Sequence, residues 1–304
     1  MKAACTGKYN ISDLPIFLKW AGGKSQLLDQ FKNIFPRNFE SYYEPFIGSG
    51  AVFFYVKSRL APKKVSLSDL NEELINCYTV VRDNVSELVE SLANHKSHHS
   101  KEYYYSVRSA NTHKLTNVER ASRLIYLNKT CFNGLYRVNS SGQFNVPFGD
   151  YKNPKIFDNE TLLRASDLLQ DVELLVMHFS KVVGFADKKD LVYFDPPYVP
   201  ISRTSNFTSY SKEEFSAKEQ ERLADTFKVL DSCGCYVMLS NSDHPFVREL
   251  YRDYEKNTVV VRAKRMINSV GSRRGAINEL VIRNYDCMKP EAFMMHSKHL
   301  TSAK

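Results

Sequence analysis

No apolar run in this chain approaches the roughly 20 residues that cross a bilayer, which excludes a spanning helix. Residues Met1–Asn10 hold no apolar segment of the secretory kind, so a soluble protein retained in the cytoplasm is expected. The six cysteines are scattered and form no Cys-x-x-Cys pair, which excludes a disulfide framework and a zinc site and leaves reduced, mostly buried thiols. Histidines gather only at His95, His98 and His99, with no further ligands in the segment. That stretch reads as a solvated polar turn, and no metal is expected. No internal repeat is present. Tryptophan occurs once, as Trp20.

What is present is a soluble, globular composition, 43% hydrophobic and 25% charged, in 304 residues, enough for one large or two modest domains. Lys+Arg 42 against Asp+Glu 34 gives +8, which favours a polyanionic partner. Five residues stand out: Phe194-Asp195-Pro196-Pro197-Tyr198, directly after the apolar run Leu191-Val192-Tyr193. The prolines cannot donate to a sheet ladder, so the run reads as a buried strand that ends abruptly. A carboxylate and a phenol ring then sit at the carboxyl end of a strand, where open α/β sheets bind ligands. Asp195 and a nearby backbone carbonyl suit an exocyclic amino group as hydrogen-bond acceptors, and Tyr198 suits the base that carries it as a stacking surface.

The chain alternates strand, glycine turn and helix from Phe17 to about Ile75, with strands at 42–46 and Lys64–Ser68 and a helix over Ala51–Leu60. Between about Asn76 and Arg164 the texture turns helical and rich in Tyr, Arg and Asn, ending in the Gly- and Asn-rich stretch Asn133–Asn153. That stretch looks like an inserted module. Alternation resumes from Leu174, with strands near Leu191–Phe194, Tyr236–Ser240, Thr258–Arg262 and Glu279–Asn284. The organisation expected is a catalytic domain in two parts, 1–75 and 166–288, around an insert at 76–165, with a mobile tail over 289–304.

Glu44-Pro45-Phe46-Ile47-Gly48-Ser49-Gly50 is a strand, then glycines, then a helix, which lets backbone approach a ligand closely. Phe53 occupies the place of the third glycine of the dinucleotide fingerprint, which argues for a smaller adenosine-containing cofactor. Asp69 ends the next strand, about 20 residues beyond Gly50, where an acid meets ribose hydroxyls. Lys19-Trp20-Ala21-Gly22-Gly23-Lys24 adds glycines and lysines in one turn.

The segments at 17–24, 44–50, 132–139 (Phe-Asn-Gly-Leu-Tyr-Arg-Val-Asn), 144–149 (Phe-Asn-Val-Pro-Phe-Gly) and 195–198 occur in the order of the Dam family. The chain resembles these alpha-group DNA adenine-N6 methyltransferases, which act at GATC, from about Phe17 to Tyr285. The resemblance implies an α/β, Rossmann-like S-adenosylmethionine-dependent methyltransferase fold with a mostly helical inserted target-recognition domain. It also implies S-adenosylmethionine as methyl donor, double-stranded DNA as partner and a monomer in a bacterial or phage setting. By residue it implies that Trp20, Lys24, Asp69 and Asp195 contact the cofactor, with Phe46, Gly48 and Gly50 lining its pocket. Arg137 has the chemistry to pair bidentately with a guanine and stands at the family's guanine-reading position. Lys19 matches the position that meets the other guanine. Phe132 matches an aromatic wedge beside the target base, and Asn133, Leu135 and Pro147 match the recognition surface.

Arg262, Lys264, Arg265, Arg273 and Arg274 lie without an acidic residue between Val261 and Gly275, as a loop that tracks phosphates would. The chemistry expected is direct in-line transfer to N6 of a flipped adenine, with Asp195, Pro196 and Tyr198 at the reacting nitrogen and no covalent intermediate. Two rivals remain at this point. One is a methyltransferase for RNA or a protein glutamine, where Asn usually replaces Asp195; the other is a catalytically silent DNA-binding protein that keeps the fold.

Overall fold

The computed structural model describes residues 11–198, 215–264 and 276–286. Seven strands form one sheet: β1 (Ser41–Glu44), β2 (Lys64–Asp69), β3 (Val172–Val176), β4 (Leu191–Phe194), β5 (Tyr236–Ser242), β6 (Val259–Lys264) and β7 (Ala276–Arg283). Their order is β3-β2-β1-β4-β5-β7-β6. β3, β2, β1, β4 and β5 run parallel, while β7 runs antiparallel to both β5 and β6.

Alternation along the strands explains why both faces are covered, since successive side chains point to opposite sides. Tyr42, Leu191, Tyr193, Met238 and Val281 join one core, and Tyr43, Val192, Phe194, Val237, Leu239, Leu280 and Ile282 join the other. Every residue of β4 is buried, as expected of a central strand. β1 stops at Glu44 because Pro45 has no N–H to donate, two residues short of the end read from sequence.

Helix α1 (Leu28–Phe31) precedes β1, α2 (Ala51–Arg59) follows β1 and α3 (Glu72–Asp83) follows β2, and α8 (Ala217–Ser232) and α9 (Pro245–Leu250) cover the second face. Between α3 and α7 (Asn159–Leu169) lie α4 (Val85–Ser97), α5 (Lys101–Ser109) and α6 (Asn117–Thr130). α6 begins with a reciprocal cap in which Thr116 and Glu119 satisfy each other's backbone N–H. It is buried along Ala121–Asn128 and packs on α3, α4 and α5, so one core runs from the sheet through this helical region. Position 76 falls inside α3.

Two expectations needed correction. β3 begins at Val172 and had no strand assigned to it; it is an edge strand that runs from buried Val172 to exposed Val176 with Glu173 between, so it lacks the apolar run that marks β4. The stretch Asn94–Ser100, read as a solvated polar turn, is mostly exposed, but its first half is the end of α4 with His98 as the cap. His95 stacks on Tyr126 at 4.8 Å and meets the Tyr103 hydroxyl at 2.8 Å, and burial pushes its pKa down to about 4. His99 meets the Tyr126 hydroxyl at 2.9 Å.

Arg265, Arg273, Arg274 and the tail at 289–304 lie outside the described residues. Among the described residues, no helix is long and apolar enough to cross a membrane and no group of His, Cys, Asp or Glu could hold a metal ion.

Candidate active site and nucleic-acid interface

The strand order reverses between β1 and β4, since β1 leads outward to β2 and β3 while β4 leads to β5 on the other side. Crevices beyond the carboxyl ends of strands at such a reversal are the ligand sites of open α/β sheets. Glu44 ends β1 here and Asp195 follows β4.

Lys24 reaches this crevice from the turn after Trp20. Its side chain is 3% exposed, and Nζ donates to Asp195 Oδ1 at 2.6 Å, Asp195 Oδ2 at 2.8 Å and the Gly22 carbonyl at 2.7 Å. A buried ammonium needs such partners, because desolvation of an unpaired charge is far costlier than the pairing returns. The same ammonium lies 4.7 Å from the centre of the Tyr198 ring. The Tyr198 hydroxyl donates to Glu279 Oε2 at 2.7 Å, which ties the ring to β7. Burial pushes the Asp195 carboxyl up to about 6; the Lys24 ammonium opposes that shift and Glu279 adds to it. Burial also raises Glu44 well above the carboxylate range, although its Oε2 accepts from the Tyr42 hydroxyl at 2.7 Å. Behind the motif, Gln220 Nε2 donates to the Pro197 carbonyl at 3.0 Å, and Gln220 Oε1 accepts from the buried Asn241 at 3.0 Å.

On the β1–β2 side the backbone is shaped by glycine. Gly50 has φ 69, and a Cβ there would stand 2.7 Å from the Tyr78 hydroxyl oxygen. A Cβ on Gly48 would stand 3.0 Å from Trp20 Cδ1, so the indole lies directly on that glycine. The ring of Trp20 also stacks on Tyr136 at 5.0 Å and 22°. Asp69, half-buried at the end of β2, accepts from the Asn71 N–H at 2.9 Å; burial pushes it up to about 6 against the pull of the Asn71, Gly48 and Leu70 backbone. Phe46 stacks on Phe179 at 5.4 Å and meets Phe194 and Phe215 edge to face. A half-buried carboxylate beside a glycine cradle, an indole and an aromatic cluster matches the ribose hydroxyls and the adenine ring of an adenosine-containing cofactor.

The remaining candidates gather on residues 131–149, where Cys131 bridges to Phe148 and Val138 to Phe144 in antiparallel fashion. The tip is held by Asn139, whose Oδ1 accepts from the Ser141 and Gln143 N–H groups. Phe132, Asn133, Arg137 and Pro147 are exposed, and Leu135 is half-buried. Phe132 has 52% of its surface in solvent, unusual for so large an apolar ring. Arg137 is held by Asn145, with Nε donating to Oδ1 at 2.7 Å. Lys19 is exposed beside this hairpin, its Nζ 5.4 Å from the centre of the Tyr151 ring. Arg262 is exposed on β6, and the backbone of Lys264 ends that strand.

The structure thus brings Trp20, Lys24, Phe46, Gly48, Gly50, Asp69, Asp195, Pro196 and Tyr198 to the ends of β1, β2 and β4. Lys19, Phe132, Asn133, Leu135, Arg137 and Pro147 lie on and beside the hairpin. Sequence reasoning passed over Glu279, Gln220, Tyr136 and Phe179. Tyr136 and Glu44 sat inside segments already singled out, whereas Glu279 reaches Tyr198 across 81 positions of sequence with no local signal.

Residues 20–267 match the family model described as D12 class N6 adenine-specific DNA methyltransferase. The chain is 48% identical over 282 residues to the Type II methyltransferase M1.LlaDCHI of Lactococcus lactis subsp. cremoris, covering 91% of this chain and 97% of that one. It is 46% identical to the Type II methyltransferase M.MjaIII of Methanocaldococcus jannaschii, covering 88% and 98%. The DNA adenine methylase of Haemophilus influenzae is 36% identical, with 87% and 92% covered.

Proposed function

Because the chain belongs to the D12 class of N6 adenine-specific DNA methyltransferases, we propose that it methylates adenine at GATC in duplex DNA, after flipping that base out of the helix. S-adenosylmethionine, when bound, supplies an electrophilic methyl on a sulfonium. Trp20, Lys24, Phe46, Gly48, Gly50 and Asp69 would hold it, with Asp69 facing the ribose hydroxyls.

The observation that carries this reading is the Lys24–Asp195 pair at 2.6 Å beside the Tyr198 ring, at the reversal of strand order. The amino nitrogen of adenine is a poor nucleophile because its lone pair is delocalised into the ring. Asp195 and the Pro196 carbonyl accept its two N–H groups, which favours tetrahedral nitrogen and turns the lone pair out of the ring plane. The half-buried carboxylate, more basic than an ordinary one, then takes the surplus proton from N6. Lys24 keeps Asp195 ionised and oriented, and Gln220 fixes the peptide between Pro197 and Tyr198. Unstacking the base costs a few kcal/mol, part of which Tyr198 recovers by stacking on it.

The helical region and hairpin at 76–165 act in this reading as the target-recognition domain. Arg137 and Lys19 read guanine edges, Phe132 fills the gap left by the flipped base, and Asn133, Leu135 and Pro147 line the surface around it. Arg262, with Lys264, Arg265, Arg273 and Arg274, meets phosphate. Expression in a strain without adenine methylation tests the reading. Its DNA becomes resistant to a nuclease that cuts only unmethylated GATC and sensitive to one that cuts only the methylated site; the reverse pattern rejects it.

A further inference from the structure

Asn128, in the last turns of α6, has no surface exposed, and its carboxamide uses both donors and one acceptor on backbone of two separate segments. Its Oδ1 accepts the Lys19 N–H at 2.9 Å, and its Nδ2 donates to the Lys19 carbonyl at 2.8 Å and the Gly134 carbonyl at 3.2 Å. One side is the turn that carries Trp20 and Lys24; the other is the start of the hairpin that carries Phe132 and Arg137. The two segments fit closely at this point. Gly134 has φ 63, and a Cβ there would run into Lys19 Cδ. One residue on from Lys19, Trp20 stacks on Tyr136 of the hairpin.

We infer that Asn128 is a positioning residue that couples the cofactor turn to the DNA-reading hairpin, so that cofactor and cognate duplex each strengthen the other's binding. The physical basis is that a buried carboxamide with all its partners in place permits only one spacing between the segments. Any shift of either leaves buried backbone groups unmatched. Ordering the turn around a cofactor therefore orders the hairpin as well, and the coupling is reciprocal. The inference rests on the proposed roles of Trp20, Lys24, Phe132 and Arg137.

The test is calorimetric titration of the full chain with S-adenosylhomocysteine, which has no methyl to transfer, with and without saturating GATC duplex, and of the duplex with and without S-adenosylhomocysteine. The wild type should show the same enhancement in both directions, in the range of about 5–150-fold. Asn128→Asp keeps the acceptor for Lys19 and turns a carboxylate toward two carbonyls. Its enhancement should fall to within about twofold of unity near pH 8 and recover in part near pH 6, where the neutral acid regains a donor. A purely structural role would lower the melting temperature and leave the enhancement and its pH dependence unchanged. If Asn128→Asp does not fold, Asn128→Ser carries the same measurement, and undiminished enhancement in it overturns the inference. A wild type that binds GATC and single-base-substituted duplexes alike rejects the recognition reading instead. A discriminating wild type with intact coupling in the variants rejects only the role of Asn128.

Discussion

A lysine ammonium 3% exposed between two oxygens of Asp195 sets the chemistry of the whole crevice. In the proposed reaction Asp195 acts ionised, and burial has moved its carboxyl to about 6, so kcat/KM, which reports the free enzyme, should fall about tenfold per pH unit below that value. The sign of two substitutions follows from the same electrostatics. Lys24→Met removes the charge that lowers the Asp195 value, so the acidic limb should move to higher pH; Glu279→Gln removes one that raises it, so the limb should move lower. Rate profiles of the three proteins between about pH 5 and pH 8 check this, and limbs that coincide would exclude Asp195 as the titrating group. Asp69→Ala removes a charge-assisted hydrogen bond worth roughly 1.5–3 kcal/mol, so cofactor affinity by calorimetry should drop about one to two decades. Duplex affinity should stay near normal. Asp195 and Tyr198 were legible because prolines stop a buried run beside them. Glu279 and Gln220 were not, because only the folded sheet brings β7 and α8 to the end of β4.

At the level of elements, the turn from β1 into α2 holds its shape through Gly50. A side chain at φ 69 costs roughly 1–2 kcal/mol in backbone alone, and the Tyr78 hydroxyl occupies the space that a Cβ needs. Gly50→Ala should therefore lower the melting temperature and weaken cofactor binding together. A variant with unchanged calorimetric affinity would show that this turn does not touch the cofactor. The parallel strands were readable where burial on both faces leaves an unbroken apolar run, as in β4, and where a glycine turn follows, as after β1. β3 escaped because it lies at the sheet edge with Glu173 in the middle of a partly exposed strand. His95 read as solvated because residue type alone does not reveal that Tyr103 and Tyr126 lie across from it.

For the whole molecule, the proposed roles of the cations and of the hairpin divide DNA binding into holding and reading. Arg137→Ala should cost ~1–3 kcal/mol on GATC and relax discrimination at one position, whereas Arg273→Ala should weaken all duplexes alike and lower the salt slope by about one. Binding of both variants to GATC and singly substituted duplexes over a range of salt separates the roles, and an exchange of the two patterns would reverse the assignment. The change of texture near position 76 falls inside α3, so it marks no boundary between elements. The continuity of the core from the sheet into the helical region was not legible, because packing between α3 and α6 leaves no mark in either segment alone. In the proposed reaction Asp195 directs a methyl group to N6 of adenine in GATC. The most direct measurement incubates the purified protein with methyl-labelled S-adenosylmethionine and duplexes that contain GATC or a single-base change, then digests them to nucleosides and locates the label. The account predicts N6-methyladenine from the GATC duplex alone, and none with Asp195→Ala, which remains folded by circular dichroism. Label on cytosine, label at similar rates in the altered duplexes, or full activity of Asp195→Ala would contradict it.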